Sequence, residues 1–252
     1  MSDSFNQPYA PPPPASPTIE ENLVSPTATY FLTGFTILIY LGQMASQALT
    51  GNDLLAVWGM KNNLAIIAGE YWRFITPMFL HGSLLHIGFN MYALVVIGSG
   101  LERRFGHERY LLLYFLGGFA GNVFSFLFSP AYSLGASTSI FGLLGAEMVF
   151  FYQNRELFGK GARRALQNVI MVAGINLVIG LSPGIDNWGH LGGLMGGLIF
   201  SWFAGPLLRL SGNYPSLKVV DQRTSRDQFL GAGLVLISFG FFALAKIIGL
   251  LP

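Results

Sequence analysis

Seven stretches of this chain, at about 29 to 49, 79 to 99, 109 to 128, 137 to 152, 166 to 182, 188 to 208 and 229 to 250, are apolar almost throughout. An apolar helix of about 20 residues crosses a hydrocarbon core of about 30 Å, and in lipid only helices and closed barrels satisfy every backbone polar group internally. Runs of this length and number therefore fit helices packed side by side across a bilayer. Composition agrees, with 52% hydrophobic and 10% charged residues against about 25% charged in soluble domains. The expected fold class is an all-α polytopic membrane protein. No cysteine is present, so disulfides, thiolate catalysis and thiolate metal sites are excluded. The net charge of +2 is too small to suggest nucleic acid as a partner.

Residues 1–26 contain Ala10-Pro11-Pro12-Pro13-Pro14-Ala15-Ser16-Pro17, which suits neither a helix nor a core, so a disordered tail is expected there. The tail has neither the charged start nor the apolar core of a signal peptide. Six helices are then expected over 27–208, a basic linker over 209–228, and a seventh helix with the C-terminus over 229–252. Eleven of the fourteen cationic residues lie between helices 2 and 3 (Arg103, Arg104, Arg109), 4 and 5 (Arg155, Lys160, Arg163, Arg164), and 6 and 7 (Arg209, Lys218, Arg223, Arg226). The positive-inside rule then predicts a cytosolic N-terminus and an external C-terminus.

The fourth stretch is the odd one. Its sixteen residues reach only about 24 Å, short of the bilayer core. The preceding segment, Ser129-Pro130-Ala131-Tyr132-Ser133-Leu134-Gly135-Ala136, is uncharged and ends in small residues. It can dip below the surface and start helix 4 at depth, which is tolerable only beside protein or a water-filled cavity. That predicts a wet cavity opening outward at Ser137.

Four polar residues belong to the same depth: His86 and Asn90, four apart and so on one helix face, Ser137 at the head of helix 4, and His190 near the outer end of helix 6. Interhelical hydrogen bonds of about 0.6 to 2 kcal/mol explain many such residues, and would serve for Ser137 alone. For the four together, with a loop that must dive to expose the serine, a nucleophile with its base and supporting donors is the better reading. Gly193 and Gly197 lie on the His190 face, and Gly192 and Gly196 repeat the spacing one residue earlier. Such small residues let helices 4 and 6 approach closely. Phe141, one turn below Ser137, is placed to pack against the imidazole.

Asp186 lies four before His190, but Pro183 and Gly184 put it in a loop, where a capping role is expected; Asn187 and Trp188 are similar cap and interface candidates. Glu147 is about 15 Å deeper than Ser137, too far to take part. His81 and His107 are not expected to be catalytic. No His-Glu-x-x-His motif occurs, and neither a metal nor a cofactor enters the reading. A transporter using His86, Asn90 and His190 as a proton relay would predict repeated halves, and no repeat is visible.

Gly135-Ala136-Ser137-Thr138 with Phe141-Gly142-Leu143-Leu144-Gly145-Ala146, His190 followed by Gly193 and Gly197, and His81, His86 and Asn90 together resemble the motifs of rhomboid intramembrane serine proteases. Glu70-Tyr71-Trp72-Arg73 and Glu102-Arg103-Arg104-Phe105-Gly106 resemble the first-loop and Glu-x-Arg signatures of that family. The resemblance covers about 70 to 200. It implies a rhomboid-like six-helix core plus one additional C-terminal transmembrane helix. It also implies a dyad with Ser137 as nucleophile and His190 as base, and an oxyanion hole of His86, Asn90 and the Ser137 backbone N–H. Trp72 and Arg73 would belong to a first loop partly in the outer leaflet, and Glu102 with Arg104 would tie the inner loop. One departure is Thr138, where many rhomboids have glycine.

The implied activity is hydrolysis of a peptide bond in or near the membrane segment of single-span proteins, at small residues near their outer end. The site would open to the outer face of a plasma or inner membrane, with lipid around it. Substrate would enter past the loop Ser182 to Trp188 as helix 5 moves aside. The alternative is a catalytically silent rhomboid-like protein that binds membrane helices. Gly231, Gly233 and Gly240 are candidates for packing helix 7 on the bundle.

Overall fold

The greater part of each apolar stretch lies in a helix of the computed structural model, which describes residues 23–213 and 216–251 and the backbone of 18–20. These helices are α1 (Thr27–Thr50), α2 (Leu84–Phe105), α3 (His107–Phe128), α4 (Ser137–Gln153), α5 (Lys160–Ile179), α6 (Asn187–Ala204) and α7 (Ser225–Ile247). By length and composition, α1, α2, α3 and α7 can each cross a membrane. The short α4 is the centre of the bundle, with eleven of its residues buried between α3, α5 and α6. Most of the expected tail, residues 1–17, lies outside the described residues.

Glycine sets the spacing at the centre. A Cβ on Gly193 would meet the Thr138 carbonyl and one on Gly197 the Gly142 carbonyl, both on α4. On the next face of α6, Gly192 and Gly196 sit against Phe124 and Ala120 of α3. One helix therefore uses two adjacent glycine ridges to approach two neighbours at backbone distance. On α7 only Gly231 packs closely, against Ala204 and the Phe200 carbonyl; Gly233 and Gly240 face open space. Lys246 adds a second tie, donating to the Leu127 carbonyl at the end of α3 at 2.9 Å.

The second helix starts later than the hydropathy suggests. Ser83 caps α2 by accepting the His86 N–H at 3.2 Å, and the helix runs on through a π-turn at Leu94–Gly98 to Phe105. Glu102, Arg103 and Arg104, expected in a loop, thus form its last turn, and Gly106, at φ 77°, makes the reversal into α3. The apolar residues ahead of Ser83 belong instead to a folded first loop. Two short helices, Leu54–Gly59 and Asn63–Ile67, and two 3-10 turns, Tyr71–Phe74 and Thr76–Phe79, build that loop, and its Phe74, Met78 and Leu80 are buried. Asn122, inside α3, donates to the Phe74 carbonyl at 3.0 Å.

Arg73 holds the loop from within. Its guanidinium donates to the Val57 and Met60 carbonyls, at 3.1 and 2.7 Å, and pairs with Glu70. The free carbonyls at the end of the Leu54–Gly59 helix are thereby satisfied. Trp72 stacks on Trp58, with centroids 5.5 Å apart, and donates to its carbonyl. Lys61 is fully buried and donates to the Ser129 carbonyl at 2.8 Å. Burial pushes its ammonium down to about 8.

Glu102 ties α2 to α1 rather than to Arg104. Its fully buried carboxylate accepts the N–H groups of Ala28 (2.8 Å) and Thr29 (2.7 Å) and the Thr29 hydroxyl, and meets His107 at 2.6 Å. It is an N-cap supplied by another helix, neutralising the positive end of α1. Arg104 bonds back to the Gly100 carbonyl. Glu102→Ala strands those donors in a dry site and is expected to cost about 3 kcal/mol. A fall in thermal midpoint in detergent, partly restored in Glu102→Gln, would show it.

The expected linker at 209–228 holds a hairpin, β2 (Leu208–Asn213) and β3 (Ser216–Asp221), with β1 (Thr18–Glu20) added parallel to β3. Its anchor is Asp221, which pairs with Arg109 of α3 at 2.8 Å and accepts the Leu207 and Arg223 amides. Asn154 grips the Pro206 carbonyl and the Leu208 amide. The basic segments after α2, α4 and α6 therefore gather at one end of the bundle, opposite Ser137.

Candidate active site

Ser137 is the first residue of α4, where the amides of the first turn have no intrahelical carbonyl and the helix dipole is positive. The segment leading to it is pinned three ways. Lys61 and Ser133 exchange backbone hydrogen bonds, the Gly135 N–H donates to the Pro77 carbonyl at 2.9 Å, and the Ala136 N–H donates to His81 Nε2 at 3.3 Å. Gly135 is at φ 136°, a conformation side chains rarely adopt. A Cβ there would stand 2.8 Å from His86 Nε2 and 3.7 Å from Ser137 Oγ. His86 and Ser137 thus border one point in space, which only glycine leaves free.

Across from it, His190 Nε2 lies 3.0 Å from Ser137 Oγ. The imidazole is held flat on the Phe141 ring, with centroids 4.3 Å apart and planes 11° apart. His190 sits in the first turn of α6, whose N-cap is Asp186, accepting the Gly189 N–H at 2.9 Å. His190 Nδ1 has no partner among the described residues, nor has Asp186 Oδ2. The carboxylate therefore caps the helix and does not complete a triad.

The Gly82 N–H donates to His86 Nδ1 at 3.4 Å, which leaves the proton of a neutral ring on Nε2, the nitrogen bordering Ser137. Asn90, one turn along, gives one amide hydrogen to the His86 carbonyl at 2.9 Å and keeps a second. No hydrogen bond links Asn90 and Ser137 among the described residues. Thr138 fills a notch between two glycines. A Cβ on Gly121 would stand 2.6 Å from Thr138 Cβ, and one on Gly189 3.1 Å from Thr138 Cγ2. The extra side chain is thus accommodated by small residues on α3 and α6. Glu147 lies down α4, away from the pair, as its spacing predicts.

One supporting residue, Gln43, escaped the sequence reading, and another, His81, entered it only as part of the resemblance, with no role. His81 is buried edge-on against His86, centroids 4.9 Å apart, and holds the Ala136 amide. Gln43 of α1 fixes His81 from behind, accepting its N–H at 3.0 Å and donating to its carbonyl at 3.2 Å. The available signal was a glutamine in the middle of an apolar stretch, a residue costly to keep there without a partner.

A serine thus lies against an imidazole inside a polytopic helical bundle of membrane type, and sequence comparison gives the family. The profile described as Rhomboid domain matches residues 68–207, more than half of the chain. The chain belongs to the rhomboid family, an integral membrane family that includes serine proteases. It is 40% identical over 173 residues, 68% of its length, to Rhomboid protease GluP of Bacillus subtilis (strain 168), covering 34% of that protein. It is 33% identical over 188 residues, 73% of its length, to RHOMBOID-like protein 9, chloroplastic, of Arabidopsis thaliana, covering 43% of it. RHOMBOID-like protein 1 of the same plant is 34% identical over 179 residues, 68% of the chain and 46% of the relative. The chain thus spans less than half the length of these relatives.

Proposed function

We propose that this protein is an intramembrane serine endopeptidase working through a Ser137–His190 dyad, and the observation that carries the reading is the 3.0 Å contact between Ser137 Oγ and His190 Nε2. The neutral imidazole takes the serine proton as Oγ attacks the scissile carbonyl, then returns it to the leaving amine. The oxyanion forms beside the Ser137 backbone N–H at the positive end of α4, with His86 Nε2–H and the second Asn90 amide hydrogen as further donors. Phe141 keeps the imidazole in plane with its target, and Gly193 and Gly197 keep α6 close enough to deliver it. Water needed to release the acyl-enzyme would reach Ser137 through the outward cavity that the short α4 implies.

Single-span membrane proteins are the proposed substrates. A peptide bond in their helix is protected by its own hydrogen bonds, so residues that unwind easily are cut most readily. Lateral access would be past Ser182 to Trp188 and α5. Seven spans with the basic end in the cytosol put the dyad toward the outer face of a plasma or inner membrane. A silent helix-binding relative has no need of a nucleophile and a base in contact.

A serine-directed fluorophosphonate probe tests the proposal. It is expected to label the wild type at Ser137, to leave Ser137→Ala unlabelled and to label His190→Ala far more slowly. Equal labelling of wild type and His190→Ala would overturn the dyad.

A further inference from the structure

At the level of the dyad, α5 leans on α4 through Val169 and Ala173, packed against Phe141 and Leu144. Toward the basic end α4, α5 and α6 part around a groove of about 540 Å³ walled by Met148, Tyr152, Leu166, Ile170, Leu198 and Trp202, among others. Every side chain lining it is apolar or aromatic. A second hollow of about 410 Å³ shares Tyr152 and Leu166 with the first and adds Arg155 and Arg163. The two form one slot with an apolar body and a cationic mouth. Arg155 lies over the Tyr152 ring, 4.6 Å from its centroid, and Tyr152 stacks on Trp202. Among the described residues neither arginine is in an ion pair.

We propose that this slot holds one anionic phospholipid, an acyl chain in the groove and the phosphate headgroup between Arg155 and Arg163. Three observations favour that occupant. The groove is closed at Val169 and Ala173, so it offers the depth of about one leaflet rather than the full-length face a transmembrane helix would need. Its mouth carries two unpaired cations beside a pair of interfacial aromatic rings, and basic pockets between membrane helices on the cytosolic side select anionic headgroups. Apart from the Tyr152 hydroxyl and the Trp202 indole N–H, the side chains of its body offer only hydrocarbon surface and a Met148 sulfur. A bound lipid would bridge α5 to α4 and α6 at the end where these helices part.

The site shares no residue with the Ser137–His190 pair, so its test is independent of the proposed activity. Full-length protein in neutral mixed micelles would receive phosphatidylglycerol or phosphatidylcholine brominated on the acyl chains. Quenching at Trp202 is read as the difference between wild type and Trp202→Phe. Phosphatidylglycerol is expected to quench at a mole fraction about thirtyfold lower, the factor for two cations at about 1 kcal/mol each. Arg155→Gln/Arg163→Gln should abolish that preference; Arg209→Gln, at the same end but outside the slot, and Ser137→Ala should keep it. Both arginines are exposed, so the double variant should fold, and an unchanged thermal midpoint without lipid checks this. Equal quenching by the two lipids would overturn the proposal, as would a preference surviving the double variant. So would displacement of phosphatidylglycerol by inorganic phosphate at equal concentration, which would mean that the acyl chain contributes nothing.

Discussion

Alanine at His190 is expected to lower the turnover of a membrane substrate by about a millionfold, while Asp186→Asn lowers it less than about tenfold. The first figure is of the size found when a serine hydrolase loses its base. Nothing else near Ser137 replaces the imidazole: His86 turns a protonated Nε2 toward the site, and His81 is occupied by the Ala136 amide. The second follows from where the carboxylate points. In a triad the acid holds the imidazole tautomer, and its amide variant fails severely. Here Asp186 Oδ1 bonds the Gly189 amide and Phe141 orients the ring, so asparagine keeps a cap acceptor and leaves the ring in place. Single-turnover rates on both variants check the pair of figures.

Gly197→Ala is expected to be the most damaging change made outside the dyad, costing about 3 kcal/mol and about a hundredfold in rate. Overpacking typically costs about 1–3 kcal/mol. The upper end applies because the new methyl would meet the Gly142 backbone carbonyl rather than a side chain that can turn away. α4 and α6 must then separate, and a misplacement of about 1 Å between reacting groups costs about a hundredfold. Gly233→Ala on α7 is the control: a Cβ there meets nothing within 4 Å, so alanine should be neutral or slightly stabilising. Thermal midpoints and rates for both variants, measured side by side, separate a packing effect from a generic helix-propensity effect.

The helices were legible from local rules, and the Ser137–His190 contact, across 53 positions, from the glycine spacing and the motifs together. Hydropathy marks buried helices whatever their order, and the spacing of Gly193 and Gly197 puts them on the His190 face. The first loop was marked by Glu70-Tyr71-Trp72-Arg73, but its fold was not legible, since Phe74, Met78 and Leu80 are buried by an irregular backbone with no period to betray it. Likewise Glu102 accepts from Ala28 and Thr29, a contact across 74 and 73 positions; local sequence could identify the carboxylate but not its partner. The antiparallel pair Leu208–Asn213 and Ser216–Asp221 left a weak trace, two short apolar runs with Gly212 and Asn213 at the end of the first, masked by the basic residues around them.

The most direct test is cleavage in liposomes of a single-span substrate whose membrane segment carries a small residue near its outer end, with product termini read by mass spectrometry. The account predicts a cut inside or beside that segment by the wild type and none by Ser137→Ala. An undiminished cut by Ser137→Ala would contradict it.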